Sequence, residues 1–294
     1  MYKSGFVNVI GRPNVGKSTL LNQVIGEKIS IISDKPQTTR NKIQLIYNED
    51  GLQIIFLDTP GVQMPRNQLG EYMLRLSKST LEEVDVVTFI VDESMETGYL
   101  DNYVIRELKS ISTPIILLVN KIDKLEEEEI KELVEKYKSM DLFEHIIPIS
   151  ALNNDNVNKY IDVLKEILPE GPQYFPDDMI TDQPERFIVA EIIREKALEN
   201  LQEEVPHGIF VSVDNMKARD DKDLVDVYAN IYCEKESHKG IVIGKNGKML
   251  KEIGKTSRQD IERLLGSRVN LQLWVKVEKD WREKKDKLKY FGYQ

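Results

Sequence analysis

Eight consecutive residues near the N-terminus, Gly11-Arg12-Pro13-Asn14-Val15-Gly16-Lys17-Ser18, have the form G-x-x-x-x-G-K-[ST]. A loop of this kind turns successive backbone N–H groups inward, where they cradle phosphate oxygens. Lys17 would reach the β- and γ-phosphates, and the Ser18 hydroxyl would offer Mg²⁺ the hard oxygen it prefers. Asp58-Thr59-Pro60-Gly61, followed by Val62, supplies a carboxylate that would hold the same Mg²⁺ through water and a Gly61 N–H for the γ-phosphate. By itself Asp-Thr-Pro-Gly is an ordinary turn; beside a phosphate loop it reads as a second phosphate contact. Asn120-Lys121-Ile122-Asp123 would choose the base. The Asp123 carboxylate can accept hydrogen bonds from the N1–H and 2-amino group of guanine, which adenine lacks, while Asn120 bonds the purine and the Lys121 stem lies along its face. Such a site rejects the wrong base because its own polar group would be left unpaired. Ser150-Ala151 completes the set, with the Ala151 N–H meeting the guanine O6.

Each motif needs an element to aim it. The phosphate loop follows the apolar run Phe6 to Ile10 and opens a helix near Lys17 that carries Thr19 in its first turn and adds the positive end of its dipole. Asp58 ends the run Leu52 to Leu57, Asn120 follows Ile115 to Val119, and Ser150 follows His145 to Ile149. Strand ends of this kind are where open α/β sheets hold their ligands. Helical patterns at Gln68 to Ser79, Tyr99 to Ser110, Glu126 to Ser139 and Val157 to Ile167 alternate with the strands, and Asn48 to Gly51 reads as a hairpin turn. The result is a doubly wound, mostly parallel sheet: an α/β P-loop GTPase domain using GTP/GDP and Mg²⁺.

At 294 residues the chain is long enough for two domains. Pro169, Gly171, Pro172, Pro176 and Pro184 punctuate the boundary, so the expected division is a GTPase domain over 1–168, a linker over 169–184 and a second domain over 185–294. One cysteine excludes an internal disulfide framework, and Cys233 alternates with Val225, Val227, Ala229 and Ile231 as a strand-core thiol would. With no signal-peptide core and no apolar run of membrane-spanning length, a cytoplasmic protein is expected.

Charge separates the halves. Residues 239 to 289 hold 15 Lys and Arg against 7 Asp and Glu, a net +8 within a chain of net −9. A basic block in an acidic protein is the footprint expected of nucleic-acid phosphate binding, although a basic final helix, Lys279 to Lys289, would also suit solubility or an acidic membrane surface. In that block, Gly244-Lys245-Asn246-Gly247 would bring backbone close to sugar-phosphate, with Lys239, Ile241, Ile243, Lys248 and Lys251 around it. A helix over Phe187 to Leu201, strands near Gly208 to Asp214 and Asp226 to Cys233, the glycine loop, a helix from Met249 to Leu265 and an alternating strand, Val269 to Val277, match an α+β type II KH domain. A tight helix-helix turn is the alternative reading of the loop. Trp274 falls opposite the alternating core residues, where it could cover the last helix.

Taken together, Gly11 to Ser18, Gln37-Thr38-Thr39-Arg40, Asp58 to Gly61, Asn120 to Asp123, Ser150-Ala151 and Gly244 to Gly247 resemble the bacterial Era family of GTPases, over essentially the whole chain. The resemblance implies a monomeric, GTP-switched assembly factor that binds the small ribosomal subunit at single-stranded sequence near the 3′ end of its ribosomal RNA, with peripheral contact with the inner membrane in the family. It implies Thr39 as a ligand of Mg²⁺ and the γ-phosphate, with Thr38 able to trade places. Segments Ile32 to Arg40 and Asp58 to Gly70 would be the parts ordered by GTP. Ras-like enzymes carry a water-orienting glutamine where Val62 stands, so intrinsic hydrolysis should be slow. Similar GTPases use a phosphate-loop asparagine, here Asn14, to hold K⁺ in place of an arginine finger. Arg40 and Arg12 are further candidates for transition-state charge, Arg12 reading as a loop-surface residue. The competing reading is a constitutive RNA-binding protein in which nucleotide is mainly structural.

Overall fold

A computed structural model describes every residue except Met1, Asp34, Pro36, Glu82 and Gln294; the first two interior gaps fall within the segment Ile32 to Arg40, so that part of its reading lies outside the described residues. The main division of the chain falls between Asp182 and Gln183.

In the first unit the elements run β1 (Lys3–Ile10), α1 (Lys17–Ile25), β2 (Ile43–Glu49), β3 (Leu52–Asp58), α2 (Gln68–Ser79), β4 (Val86–Val91), α3 (Tyr99–Leu108), β5 (Ile115–Val119), α4 (Glu127–Lys138), β6 (His145–Pro148) and α5 (Val157–Ile167). The sheet order is β2-β3-β1-β4-β5-β6, with β2 antiparallel to β3 and the other pairs parallel. Helices on both faces bury the central strands, which is why β3, β4 and β5 are near-continuous apolar runs, buried at every position. The β2–β3 hairpin turns at Gly51, whose φ of 75° suits a residue without a Cβ. The Glu126 to Glu129 run does more than face solvent: Glu129 accepts the Glu126 backbone N–H at 2.9 Å and so closes the start of α4.

The proline-punctuated stretch is no free tether. The Gln53 side chain accepts the N–H groups of Tyr174 and Phe175 at 2.8 and 3.0 Å and donates to the Phe175 carbonyl at 2.8 Å, and the Ile46 N–H bonds the Ile180 carbonyl at 2.9 Å. Residues 169–182 therefore belong to the first unit.

The second unit contains α6 (Glu185–Asn200), β7 (Phe210–Ala218), β8 (Leu224–Cys233), α7 (Glu236–Ile243), α8 (Lys248–Leu265), β9 (Arg268–Val277) and α9 (Lys285–Tyr290). Its sheet has the order β7-β8-β9, antiparallel then parallel, with an irregularity between Val213 and Asn215. Three expectations need correction. A helix, α7, stands between β8 and the glycine loop, where the expected order ran from strand directly to loop; it escapes a sequence reading because Val242 is its one buried side chain and its sequence has little apolar periodicity. The final helix is six residues long, beginning at Lys285, since the preceding Trp281 is buried, donating its indole N–H to the Gly208 carbonyl at 2.9 Å. Trp274 lies on the outer face of β9 and stacks on Tyr228, rings 5.9 Å apart and 14° from parallel, instead of covering a helix.

Candidate functional site: a nucleotide cradle and a glycine-loop groove

The phosphate loop connects β1 to α1, and its shape depends on glycines. Gly16 has φ 101°, and a Cβ there would collide with the Asn120 amide; one at Gly11 would meet the Ile90 carbonyl. Gly61 is held as tightly, since a Cβ would lie 2.9 Å from Pro13 N and 3.2 Å from Lys17 Nζ. The Val62 N–H bonds the Gly11 carbonyl at 3.0 Å, so the Asp58 to Gly61 motif is pinned beside the loop. Thr59 is buried with its hydroxyl 3.2 Å from the Val9 carbonyl, and the Pro60 carbonyl accepts the Ser77 hydroxyl at 2.7 Å. Both residues build the motif's backbone. Lys17 is 6% exposed and donates to the carbonyls of Gly11 and Arg12 at 3.2 and 3.0 Å. Burial pushes its ammonium down to about 8 against the opposing pull of Asp58. A triphosphate placed here would restore the partner charge that burial makes necessary.

Ser18, Thr39 and Asp58 converge. The Ser18 hydroxyl donates to Asp58 Oδ2 at 3.1 Å and lies 3.2 Å from Thr39 Oγ1. Asp58 is fully buried, its carboxyl pushed up by desolvation, and its Oδ1 has no hydrogen-bond partner among the described residues. Two hydroxyls and a carboxylate with an unsatisfied oxygen form the donor set Mg²⁺ takes when it keeps several waters. Thr39, 8% exposed and in this cluster, suits the ligand position better than the more exposed Thr38. Val62 is 2% exposed and packs into the core with Ile10 and Phe89. Asn14 stands at the exposed tip of the loop with φ 66°.

Asn120, Lys121, Ile122 and Asp123 leave β5 through a left-handed Lys121, φ 66°. Asn120 is buried, donates its amide to the Val15 carbonyl at 2.7 Å and accepts the Ala151 N–H at 2.9 Å. Asn120 thus ties the phosphate loop to the Ser150 loop, through one donor of its amide and its amide oxygen. Asp123 stays exposed while one of its oxygens accepts the Ser150 hydroxyl at 2.5 Å, which fixes the carboxylate's orientation. The Ile122 N–H bonds the Ile149 carbonyl at 3.2 Å, holding the motif to the end of β6. Beside it, Thr19, Asn22, Gln23, Lys28, Ala151 and Leu152 line a cavity of about 370 Å³.

Arg12, read as a loop-surface residue, is instead held by acids: its guanidinium meets Asp92, Ser94 at 3.1 Å and Asp101 at 3.2 Å. Asp92 and Asp101 escaped the sequence reading, although Asp92 gave the same signal as Asp58, a carboxylate at the end of a buried apolar strand.

In the second unit the glycine loop has a demanding backbone. Gly244 adopts φ 71°, ψ 170°, and a Cβ there would lie 2.6 Å from that of Met249, while Asn246 and Gly247 have φ 54° and 73°. Lys245, Asn246, Lys248 and Lys251 are exposed. A groove of about 600 Å³ lies between α8 and β9, with Lys251, Lys255 and Arg258 on one wall and Val269, Leu271 and Leu273 on the other. Lys255 and Arg258 follow Lys251 at i+4 and i+7, a helical spacing that could have found them. Lys239, Ile241 and Ile243 belong to α7 and do not line the groove.

Comparisons with known proteins cover both units. Residues 6–121 match the family described as 50S ribosome-binding GTPase, and residues 204–282 match the KH domain. The chain is 58% identical over 293 residues to GTPase Era of Alkaliphilus metalliredigens (strain QYMF), spanning 100% of this chain and 99% of that protein. It is 55% identical over 294 residues to GTPase Era of Clostridioides difficile (strain 630), again over 100% and 99%. Its structure is similar, with a TM-score of 0.95 at 41% identity and 100% and 99% coverage, to a crystal structure of Era in complex with MgGDPNP and nucleotides 1506–1542 of 16S ribosomal RNA. A structure of an Aquifex aeolicus Era variant bound to GDP and AlF4⁻ is similar at TM-score 0.95, 42% identity and 99% coverage of each chain. With a phosphate cradle, a guanine-type motif and a KH groove on one chain, and likeness over its full length, the protein belongs to the GTPase Era family.

Proposed function

We propose that the protein is a GTP-hydrolysing switch that binds the 3′ end of the small-subunit ribosomal RNA and assists maturation of the small ribosomal subunit, acting as a cytoplasmic monomer. The observation that carries the reading is the pairing, on one chain, of the Ser18, Thr39 and Asp58 cluster with a basic-walled groove beside Gly244 to Gly247. The described first family names the 50S ribosome, but it covers only the nucleotide half; the solved complex that matches the full chain contains 16S ribosomal RNA. The small subunit is therefore the better assignment. No helix among the described residues is long and apolar enough to cross a membrane, so any contact with the inner membrane would be peripheral.

In the nucleotide site, Asp123 accepts the guanine donors, and the backbone N–H groups of Asn14 to Lys17 with the Lys17 ammonium hold the phosphates. Ser18, Thr39 and Asp58 would hold Mg²⁺, which when bound neutralises charge on the β- and γ-phosphate oxygens. Attack by water forms a new bond to the γ-phosphorus and breaks its bond to the β,γ-bridging oxygen, giving GDP and phosphate. Val62, turned into the core, cannot orient that water, so the intrinsic rate is low. Asn14, at the exposed loop tip, would offer its side-chain oxygen to K⁺, which would supply charge at the transition state.

Steady-state GTP hydrolysis in matched KCl and NaCl buffers tests this reading. K⁺ should accelerate turnover about tenfold or more, and Asn14→Ala should remove the difference. Equal rates in both salts would exclude the cation role, and no hydrolysis in either would overturn the enzymatic reading.

A further inference from the structure

Two tethers join the phosphate loop to the base motif. One is the Asn120 amide bonded to the Val15 carbonyl. The other runs through Asp92, just beyond β4. Asp92 Oδ1 meets Arg12 Nη2 and accepts the Ser94 N–H and hydroxyl at 3.2 and 2.8 Å, while Oδ2 lies 3.4 Å from Lys121 Nζ. Arg12 is the second residue of the phosphate loop and Lys121 the second of the base motif. A single carboxylate thus holds one cation from each.

The site is shielded enough for this to count. The Asp92 and Asp101 side chains are 8% and 3% exposed, and those of Arg12 and Lys121 about a quarter exposed. Salt screens such groups less than exposed pairs. Burial alone would raise the Asp92 carboxyl, but the Ser94 hydroxyl and the Arg12 guanidinium outweigh it and hold the group below the usual range. Lys121 has a left-handed backbone and a long flexible stem, and among the described residues its ammonium is fixed by Asp92 and, at 3.4 Å, Glu93. Arg12 is fixed on its other side by Asp101 at 3.2 Å.

We propose that Asp92 is a positioning residue that couples the two halves of the nucleotide site, laying the Lys121 stem along the purine face in register with the Arg12-anchored phosphate loop. Guanine and phosphate are then gripped cooperatively, and loosening either cation loosens both. The inference rests on the nucleotide-binding reading above.

Release of fluorescent methylanthraniloyl-GDP from the full chain, followed by stopped flow, tests it. Asp92→Asn, nearly isosteric, should speed release about tenfold, and the effects of Arg12→Ala and Lys121→Ala should be non-additive in the native background but additive when Asp92→Asn is present. A purely structural role would lower the melting temperature and leave the native-background cycle additive. Asp101→Asn frees one side of Arg12 while leaving Asp92 on Lys121, so its effect should be smaller than that of Asp92→Asn. Should Asp92→Asn fail to fold, the Arg12/Lys121 cycle in the native background remains decisive. Additive effects there, or release within about twofold of wild type in Asp92→Asn, would overturn the proposal. Failure of the unmodified protein to bind the labelled GDP would instead overturn the nucleotide-binding reading.

Discussion

Lys17 is buried and bonded to two carbonyls of its own loop, whereas Lys245, within the glycine loop of the second unit, and Lys248, just after it, stand in solvent. The same side chain is used in two ways. Around Lys17, buried acids, left-handed backbone and paired loops fix each group before a ligand arrives, which favours discrimination between closely similar ligands. Around Gly244 to Gly247, fixed backbone is combined with exposed lysines, which favours close approach to a polyanion without commitment to one side-chain geometry.

The largest expected effect lies on the discriminating side. Asp123→Ala should reduce the preference for GTP over ATP by about 10⁴-fold, because the carboxylate oriented by Ser150 is the group proposed to accept the guanine donors. Competition of each nucleotide against labelled GDP measures it, and an unchanged ratio would move base selection elsewhere.

Salt should separate the two regions next. A glycine loop that clamps about four nucleotides gives a slope of about −0.7 per phosphate in the dependence of log affinity on log salt, or roughly a 50-fold loss from about 50 to 200 mM. Nucleotide affinity, held by buried groups, should change by only a few-fold over the same range. Parallel titrations with RNA and with GDP compare them, and equal slopes would break the contrast.

A smaller effect sharpens the backbone half of the comparison. Gly247→Ala places a methyl where nothing lies within 4 Å, so only its left-handed φ of 73° is penalised, by about 1 kcal/mol. Gly244→Ala would bring its Cβ within 2.6 Å of the Met249 Cβ and 2.9 Å of Met249 N, from a backbone region that side chains scarcely visit, and should cost about 1–3 kcal/mol. Thermal unfolding and RNA affinity of the two variants should rank in that order.

Much of this was legible because parallel sheets place their functional turns at strand ends: Gly11 to Ser18, Asp58, Asn120 and Ser150 all follow short apolar runs that became β1, β3, β5 and β6. The glycine loop was legible from Gly244 and Gly247 for a similar local reason. What escaped depends on contacts between distant residues. Nothing in the sequence says that Asn120 would bond Val15 and Ala151, that Arg12 would turn to Asp92 and Asp101, or that Gln53 would capture the segment around Phe175. The helix α7 was hidden because a single buried residue, Val242, is too little to set a period.

The most direct test of a nucleotide-gated RNA switch is the affinity, by fluorescence anisotropy at fixed salt, of a single-stranded RNA copied from the 3′ end of the small-subunit ribosomal RNA, with either a nonhydrolysable GTP analogue or GDP bound. Tighter binding with the GTP analogue, abolished by Gly244→Asp, is the expected result, and linkage then requires RNA to tighten the GTP analogue by the same factor. Equal affinity in the two nucleotide states would contradict it and leave a constitutive RNA-binding protein.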